Sequence, residues 1–277
     1  SFYPDKRQKH LYDSLFSRIS HHLEKHQAEI HGSNAKYRAG ILFIAGRSQF
    51  YLRNFDKALT SLHLASKILA SDKGKEKEMR CNIYEAIGDV YEEIREYKTA
   101  IAYYKAIKGL HSESFGKDHH RMAVLYEKLG ICYSHLVDEK FINYYNGDTC
   151  ILVSTDYLNR AIDINDRLFG KPNIRSAINK FQIGLNYYYS FRFYDMMLPT
   201  VLPALEMLHI AREDIESTDP GNVKRGNCYN VMAVCFLSLR QTDSSLFYFR
   251  KAYTTQLLNR GPHHPMTVHA ALNLAGH

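Results

Sequence analysis

Histidines, cysteines, a run of carboxylates and an unusual number of tyrosines are the residues of this chain whose types and spacing could do chemistry. The 15 histidines include the adjacent pairs His21-His22, His119-His120 and His263-His264. Imidazole nitrogens bind zinc when three or four ligands converge. His22 and His26 are four apart and share one face of a helix, yet a metal there would need a third ligand from elsewhere in the chain. No metal is expected. The five cysteines, Cys81, Cys132, Cys150, Cys228 and Cys235, are odd in number and lack C-x-x-C spacing. They read as free thiols beside an apolar core in a reducing compartment, which predicts a cytoplasmic protein. No nucleophile has an evident base partner. The signatures G-x-x-x-x-G-K-[ST], H-E-x-x-H and G-x-S-x-G are absent, as is a strand-borne G-x-G-x-x-G. An enzyme is the least favoured reading, and no cofactor is expected.

The remaining chemistry is that of recognition. Glu85, Asp89, Glu92 and Glu93 recur at helical spacing, and such carboxylates form charge-assisted hydrogen bonds with cationic partners. Tyrosine is present 21 times and tryptophan not at all; most of these rings read as large packing knobs.

The elements that must position these groups are clearest in residues 83–110, IYEAIGDVYEEIREYKTAIAYYKAIKGL, two amphipathic helices with a one-turn break at Arg95 and Glu96. Around the small residue Gly88 stand Tyr84, Ile87 and Tyr91, then Tyr97, Ala100 and Tyr104 on the second helix. Large residues of two antiparallel helices can interlock where small ones let the backbones approach, so Gly88 and Ala100 are expected to touch. The pattern recurs at Gly46 with Phe55, Ala58, Leu62 and Ala65, and at Gly130 with Tyr133, Tyr157, Leu158 and Ala161. Further copies are Gly184 with Tyr187 and Phe193, Ala233 with Phe236, Leu246, Phe249 and Ala252, and a half copy from Leu272 to Gly276. The small residues at 46, 88, 130, 184, 233 and 276 are separated by 42, 42, 54, 49 and 43 positions.

This arrangement resembles the tetratricopeptide repeat (TPR), a helix pair that usually recurs every 34 residues. The longer period, with FGKDHH at Phe115, LFGKPN at Leu168 and RGPHHP at Arg260, resembles the kinesin light chain type, in which a Gly-x-x-His-Pro-like connector precedes each first helix. The resemblance covers about Ala35 to His277. It implies an all-α fold, an α-α superhelix of about five and a half repeats, and a structural role for the connector histidines. Kinesin light chains would also imply cargo peptides with acidic, tryptophan-containing motifs, a preference that the acids of the second repeat argue against.

Residues 1–34 lack the pattern. Leu11, Leu15, Phe16, Ile19, Leu23 and Ile30 predict one long capping helix, with His31-Gly32-Ser33-Asn34 as its stop and the next helix's start. Residues 35–277 are expected to form one solenoid, read as a piece of a longer protein. The third repeat has an insertion at 138–149, where Asn146-Gly147 signals a turn and Phe141, Tyr144 and Tyr145 offer a contact surface. The fourth is irregular around 193–214: its second helix is expected to run from Phe193 to Ile210, kinked or split by Pro199 and Pro203.

The net charge of +7 is scattered rather than gathered in a stripe, which argues against nucleic acid. No run is apolar enough for a membrane span. The expected function is binding of a peptide or partner protein in the concave groove of the superhelix, with other domains of the parent chain as further candidate contacts. A sensor or regulatory domain of a larger multidomain protein, switched by ligand, is the alternative. Offsets from each small residue predict the lining. The first repeat supplies Phe43, Arg47, Phe50 and Tyr51, and the second Glu85, Asp89, Glu92 and Glu93. Glu127 and Ser134 come from the third repeat, Phe181, Tyr188 and Tyr189 from the fourth, Asn230 from the fifth and Asn273 from the last. The acidic stretch predicts a ligand with basic residues followed by apolar ones.

Overall fold

The computed structural model describes residues 14, 17–19, 34–70, 76–136, 144–193 and 201–276, and among these the regular structure is entirely helical. The helices are α1 (Ala35–Tyr51), α2 (Phe55–Ala70), α3 (Lys77–Glu93), α4 (Tyr97–Phe115), α5 (His120–Leu136), α6 (Tyr144–Phe169), α7 (Ile174–Phe193), α8 (Val201–Thr218), α9 (Lys224–Ser238), α10 (Thr242–Arg260) and α11 (Pro265–Ala275). They group into two compact units, Ser1–Lys117 and Asp118–His277. In the first unit α1 packs on α2, α2 on α3 and α3 on α4. In the second the pairs α5–α6, α7–α8 and α9–α10 pack in the same chain order, and α11 closes on α10. The capping helix expected over 1–34 lies almost wholly outside the described residues.

Four of the five pairs close around the predicted small residue. A Cβ on Gly46 would stand 2.6 Å from Leu62, on Gly130 2.7 Å from Leu158, and on Gly184 2.8 Å from Leu208. At Gly88 the neighbour is the ring of Tyr104, 2.4 Å from where a Cβ would sit. Ala100 is fully buried, and the three atoms nearest to a Cβ on Gly88 all belong to Tyr104, one helical turn further on. Around these contacts lie Leu62, Leu69, Ile83 and Ile87 in the first unit, and Leu158, Ile183, Leu208 and Met232 in the second, all essentially without exposure.

Two kinds of connector repeat. Between the helices of a pair, Arg53, Arg95 and Arg240 take φ of 62°, 66° and 58°. The amide after each reaches back to close the helix end: Asn54 N–H to Gln49 O, Glu96 to Tyr91 and Gln241 to Phe236, 2.8 to 2.9 Å. This is the left-handed C-terminal closure that glycine usually supplies. Between pairs, Gly116, Gly170 and Gly261 take φ of 83°, 76° and 81°, and the residue three positions on caps the next helix. His119 Nδ1 accepts from Arg121 N–H, Asn173 Oδ1 from Ser176 N–H, and His264 Nδ1 from Met266 N–H. The connector histidines thus act as helix caps. Asn34 does the same for α1, accepting from Tyr37 N–H at 2.8 Å.

Two local expectations are corrected. Asn146-Gly147 lie inside α6, so the described part of the insertion extends the second helix of its pair instead of turning. Phe193 ends α7, and the second helix of the fourth pair starts at Val201 and continues to Thr218. Pro203 falls in its first turn, where a missing N–H breaks no helical bond.

Candidate partner-binding face

The predicted lining residues all come from first helices. Two pairs of them at equal offsets from the small residue stand side by side, one pair in each unit. In the first unit Arg47, one after Gly46, meets Asp89, one after Gly88, with Nη1 2.9 Å from Oδ2. Arg47 Nη2 also donates to Tyr51 Oη at 2.8 Å, and the guanidinium lies 5.6 Å and 5.2 Å from the Phe50 and Tyr51 ring centres. Burial pulls this group towards neutrality, but Asp89 and Tyr51 outweigh it and hold its charge. On the other side of Asp89 the buried Tyr104 hydroxyl shares its proton between Asp89 Oδ1 and Glu92 Oε2, at 2.9 and 2.8 Å. Glu93 pairs with Arg53 at 2.9 Å.

This corrects the acidic stretch. Asp89, Glu92 and Glu93 are half-buried and engaged within the chain, and Glu85 is half-buried as well. The carboxylates therefore set the spacing of α1 against α3 and position Arg47, Tyr51 and Phe50. Phe43 packs by one side on the core of this unit.

In the second unit the lining is more deeply placed than expected. Phe181 and Tyr188 are 3% and 9% exposed and belong to the core around Leu208 and Met232, with Tyr189 packed beside them. Ser134 is buried too, donating to Asn186 at 2.6 Å. The offset rule fails here because the aromatic side chains lie back onto the neighbouring helix, where apolar burial holds them. Asn230 and Asn273, three before Ala233 and Gly276, bond to each other at 2.8 Å. Glu127 is half-buried on α5; burial pushes its carboxyl up, against the pull of Arg175, Lys128, Asn179 and Lys224. Phe141 lies outside the described residues, and of Tyr144 and Tyr145 only the backbone at the start of α6 is described.

Sequence reasoning missed Tyr104 as the partner of two acids, and it missed the group of Arg175, Asn179 and Lys224 around Glu127. A usable signal existed for the first group: residues at equal offsets 42 positions apart are neighbours, so Arg47 and Asp89 could be paired from the repeat step alone. The second signal is the placement of cations in the first turns of α7 and α9.

Among the described residues no helix is long and apolar enough to cross a membrane, and no group of three or more His, Cys, Asp or Glu could hold a metal. No protein-family model matches the sequence, and no curated protein matches it. Solved structures do. BtubC (BKLC) from P. vanneervenii is similar at 13% identity, over 94% of this chain and 93% of that one, with a TM-score of 0.65. A Podosopora anserina putative kinesin light chain with nearly identical TPR-like repeats is similar at 11% identity, over 82% and 98%, with a TM-score of 0.60. The thermophilic TPR protein TTC0263 of Thermus thermophilus is similar at 16% identity, over 86% and 99%, with a TM-score of 0.54.

Proposed function

We propose that this chain, whose fold is that of a TPR solenoid with repeats like those of kinesin light chains, is a protein-interaction module that binds a partner segment along the face of its first helices. The observation that carries the reading is the side-by-side placement of equal-offset residues, Arg47 with Asp89 at 2.9 Å and Asn230 with Asn273 at 2.8 Å. First helices so placed offer a row of polar groups interleaved with half-buried rings, Phe43, Phe50 and Tyr51. An extended segment meets such a row with main-chain hydrogen bonds and alternate side chains. Arg and Tyr are also the residue types that contribute most when an interface desolvates them.

The test places a photo-crosslinking amino acid at Phe43 and Tyr51 on this face in the first unit, and at Leu64 and Leu152 on second helices, where the side chains are 48% and 70% exposed. Capture of one and the same partner from Phe43 and Tyr51, and not from Leu64 or Leu152, is the expected result. Capture from the second-helix positions alone refutes the reading.

A further inference from the structure

Two second helices of the second unit turn an apolar stripe towards solvent. Along α8, Leu202, Glu206, Ile210 and Glu213 follow at steps of four, four and three, which puts them on one side of the helix. Along α10, Phe247, Lys251, Thr254 and Leu258 follow at steps of four, three and four. All eight are exposed, Leu202 to 61% and Leu258 to 78%. A single exposed apolar side chain is ordinary, but apolar residues recurring on two neighbouring helices mark a surface that another protein covers. The helices are neighbours because the His209 and Tyr248 rings meet at 6.2 Å, and Ile210 and Phe247 flank that contact. Along α9 from Phe236 to Tyr229, the adjoining residues pass from His209 to Glu216 on α8 and from Tyr248 to Lys251 on α10. α8 and α10 therefore run in the same direction.

The two stripes carry opposite charge. Glu206 makes no ion pair among the described residues, and Glu213, bonded to Arg212 at 2.8 Å, keeps a side chain 67% exposed. α10 has no acid after Asp243 in its first turn, and its exposed side presents Arg250 and Lys251. The Lys251 ammonium lies 4.8 Å from the centre of the Phe247 ring. One surface thus holds an apolar-acidic stripe beside an apolar-basic one. A surface for an unrelated partner has no reason to carry both halves of a match, whereas self-association requires it.

We propose that α8 and α10 are the contact face of a two-fold dimer of this chain, with α8 of each copy laid on α10 of the other. A two-fold axis running along the helices produces this pairing. It sets Ile210 of one copy against Phe247 of the second copy, and Glu206 and Glu213 against the cations Arg250 and Lys251. An axis across the helices would lay α8 on α8 and oppose like charges, which suppresses that arrangement. Helices of 18 and 19 residues are roughly 27 Å long and about 10 Å wide, so the face offers roughly 550 Å² per copy. That is less than the ~800 Å² per partner of a standard interface, so the dimer is weak and depends on concentration. The face of the first helices takes no part, and the inference stands apart from the partner-binding reading.

The experiment is sedimentation equilibrium of the whole chain from about 10 μM to 1 mM, the span of weak affinities. A monomer–dimer equilibrium is expected. Two variants reverse charge: Glu206→Lys with Glu213→Lys on α8, and Arg250→Glu with Lys251→Glu on α10. Each alone sets like charges at both contacts of its dimer and should weaken it about tenfold or more. An equimolar mixture of the two should recover the parental affinity, because every contact then pairs opposite charges. Phe247→Ser should weaken the dimer, and Leu64→Ser, at an exposed apolar position of the first unit, should leave it unchanged. Circular dichroism checks that each variant is folded. A parent chain that stays monomeric throughout, a dimer indifferent to both charge reversals, or a mixture no tighter than its components overturns the proposal.

Discussion

Gly88→Ala tests the packing logic of the whole repeat with a single methyl group. A Cβ at position 88 would meet Tyr104 Cε1 at 2.4 Å, Cδ1 at 2.9 Å and Cζ at 3.0 Å. Ordinary carbon contacts lie near 3.5 to 4.0 Å, so the ring must retreat by about 1 Å or α3 must move off α4. Tyr104 is fully buried and its hydroxyl is held by Asp89 and Glu92, so the ring cannot swing away without losing that bond. Overpacking of this kind costs about 1–3 kcal/mol, and loss of the hydroxyl's bond adds about 0.5–1.5 kcal/mol. Against this, alanine is about 1 kcal/mol better than glycine inside a helix. Gly109→Ala is the reference that isolates the propensity gain, because a Cβ there meets nothing within 4 Å. In urea unfolding followed by far-ultraviolet circular dichroism, Gly109→Ala should be more stable than the parent. Gly88→Ala should fall below Gly109→Ala by roughly 1.5–4.5 kcal/mol, the sum of the packing and hydrogen-bond losses. Equal stability of the two variants would refute the placement of Tyr104 against Gly88.

The left-handed connector residues give a second test: Arg95→Gly relieves a positive φ of 66° and should stabilise by about 0.5–1 kcal/mol, whereas Gly261→Ala, at φ 81°, should destabilise by a similar amount, both read from thermal melts. Glu127 gives a pH test. Burial raises its folded-state pKa above the ordinary 4.5, so the folded chain holds this proton more tightly; the contribution is complete below pH 4.5 and is lost as pH rises through the raised value. The stability of the parent relative to Glu127→Gln should therefore decline across that window, and a difference that rises with pH would contradict the burial seen here. Burial also pushes the thiols of Cys228 and Cys235 up to about 12, and Cys81 and Cys132 are buried as well. Brief alkylation of the native chain at pH 8 should modify Cys150 alone by mass spectrometry, with the other four reacting after unfolding.

The helix pairs were legible in the sequence because one physical requirement writes itself repeatedly. Wherever two backbones approach, a small residue must face a large one on the next helix, sixteen positions on where the connector is short, as Gly46 faces Leu62 and Gly88 faces Tyr104. The connectors were legible for a similar reason, since Gly116, Gly170 and Gly261 each precede a capping side chain by three residues. What misled was composition read without its tertiary partner. Asn146-Gly147 carries a turn signal, yet it lies within a helix. Pro203 reads as a helix breaker, yet it sits in a first turn where it breaks nothing.

The offset rule found residues on first helices, but it told neither which of them are buried, as Phe181, Tyr188 and Ser134 are, nor how their charges are compensated. The offset rule named Arg47, Asp89, Glu92 and Glu127 correctly as first-helix residues, but four acids on one helix look alike whether they face water or a cation. Asp89 is neutralised by Arg47 from the preceding repeat, and Glu92 shares the proton of a buried tyrosine. Half-buried Lys224 has no such partner at hydrogen-bond distance; its ammonium lies 5.5 Å from the centre of the Phe181 ring. A salt bridge within the chain competes with any ligand for the same group, and an uncompensated half-buried charge does not. Lys224, half-buried and without an ion pair among the described residues, therefore has more electrostatic free energy left to gain from a counter-charge than Asp89 or Glu92.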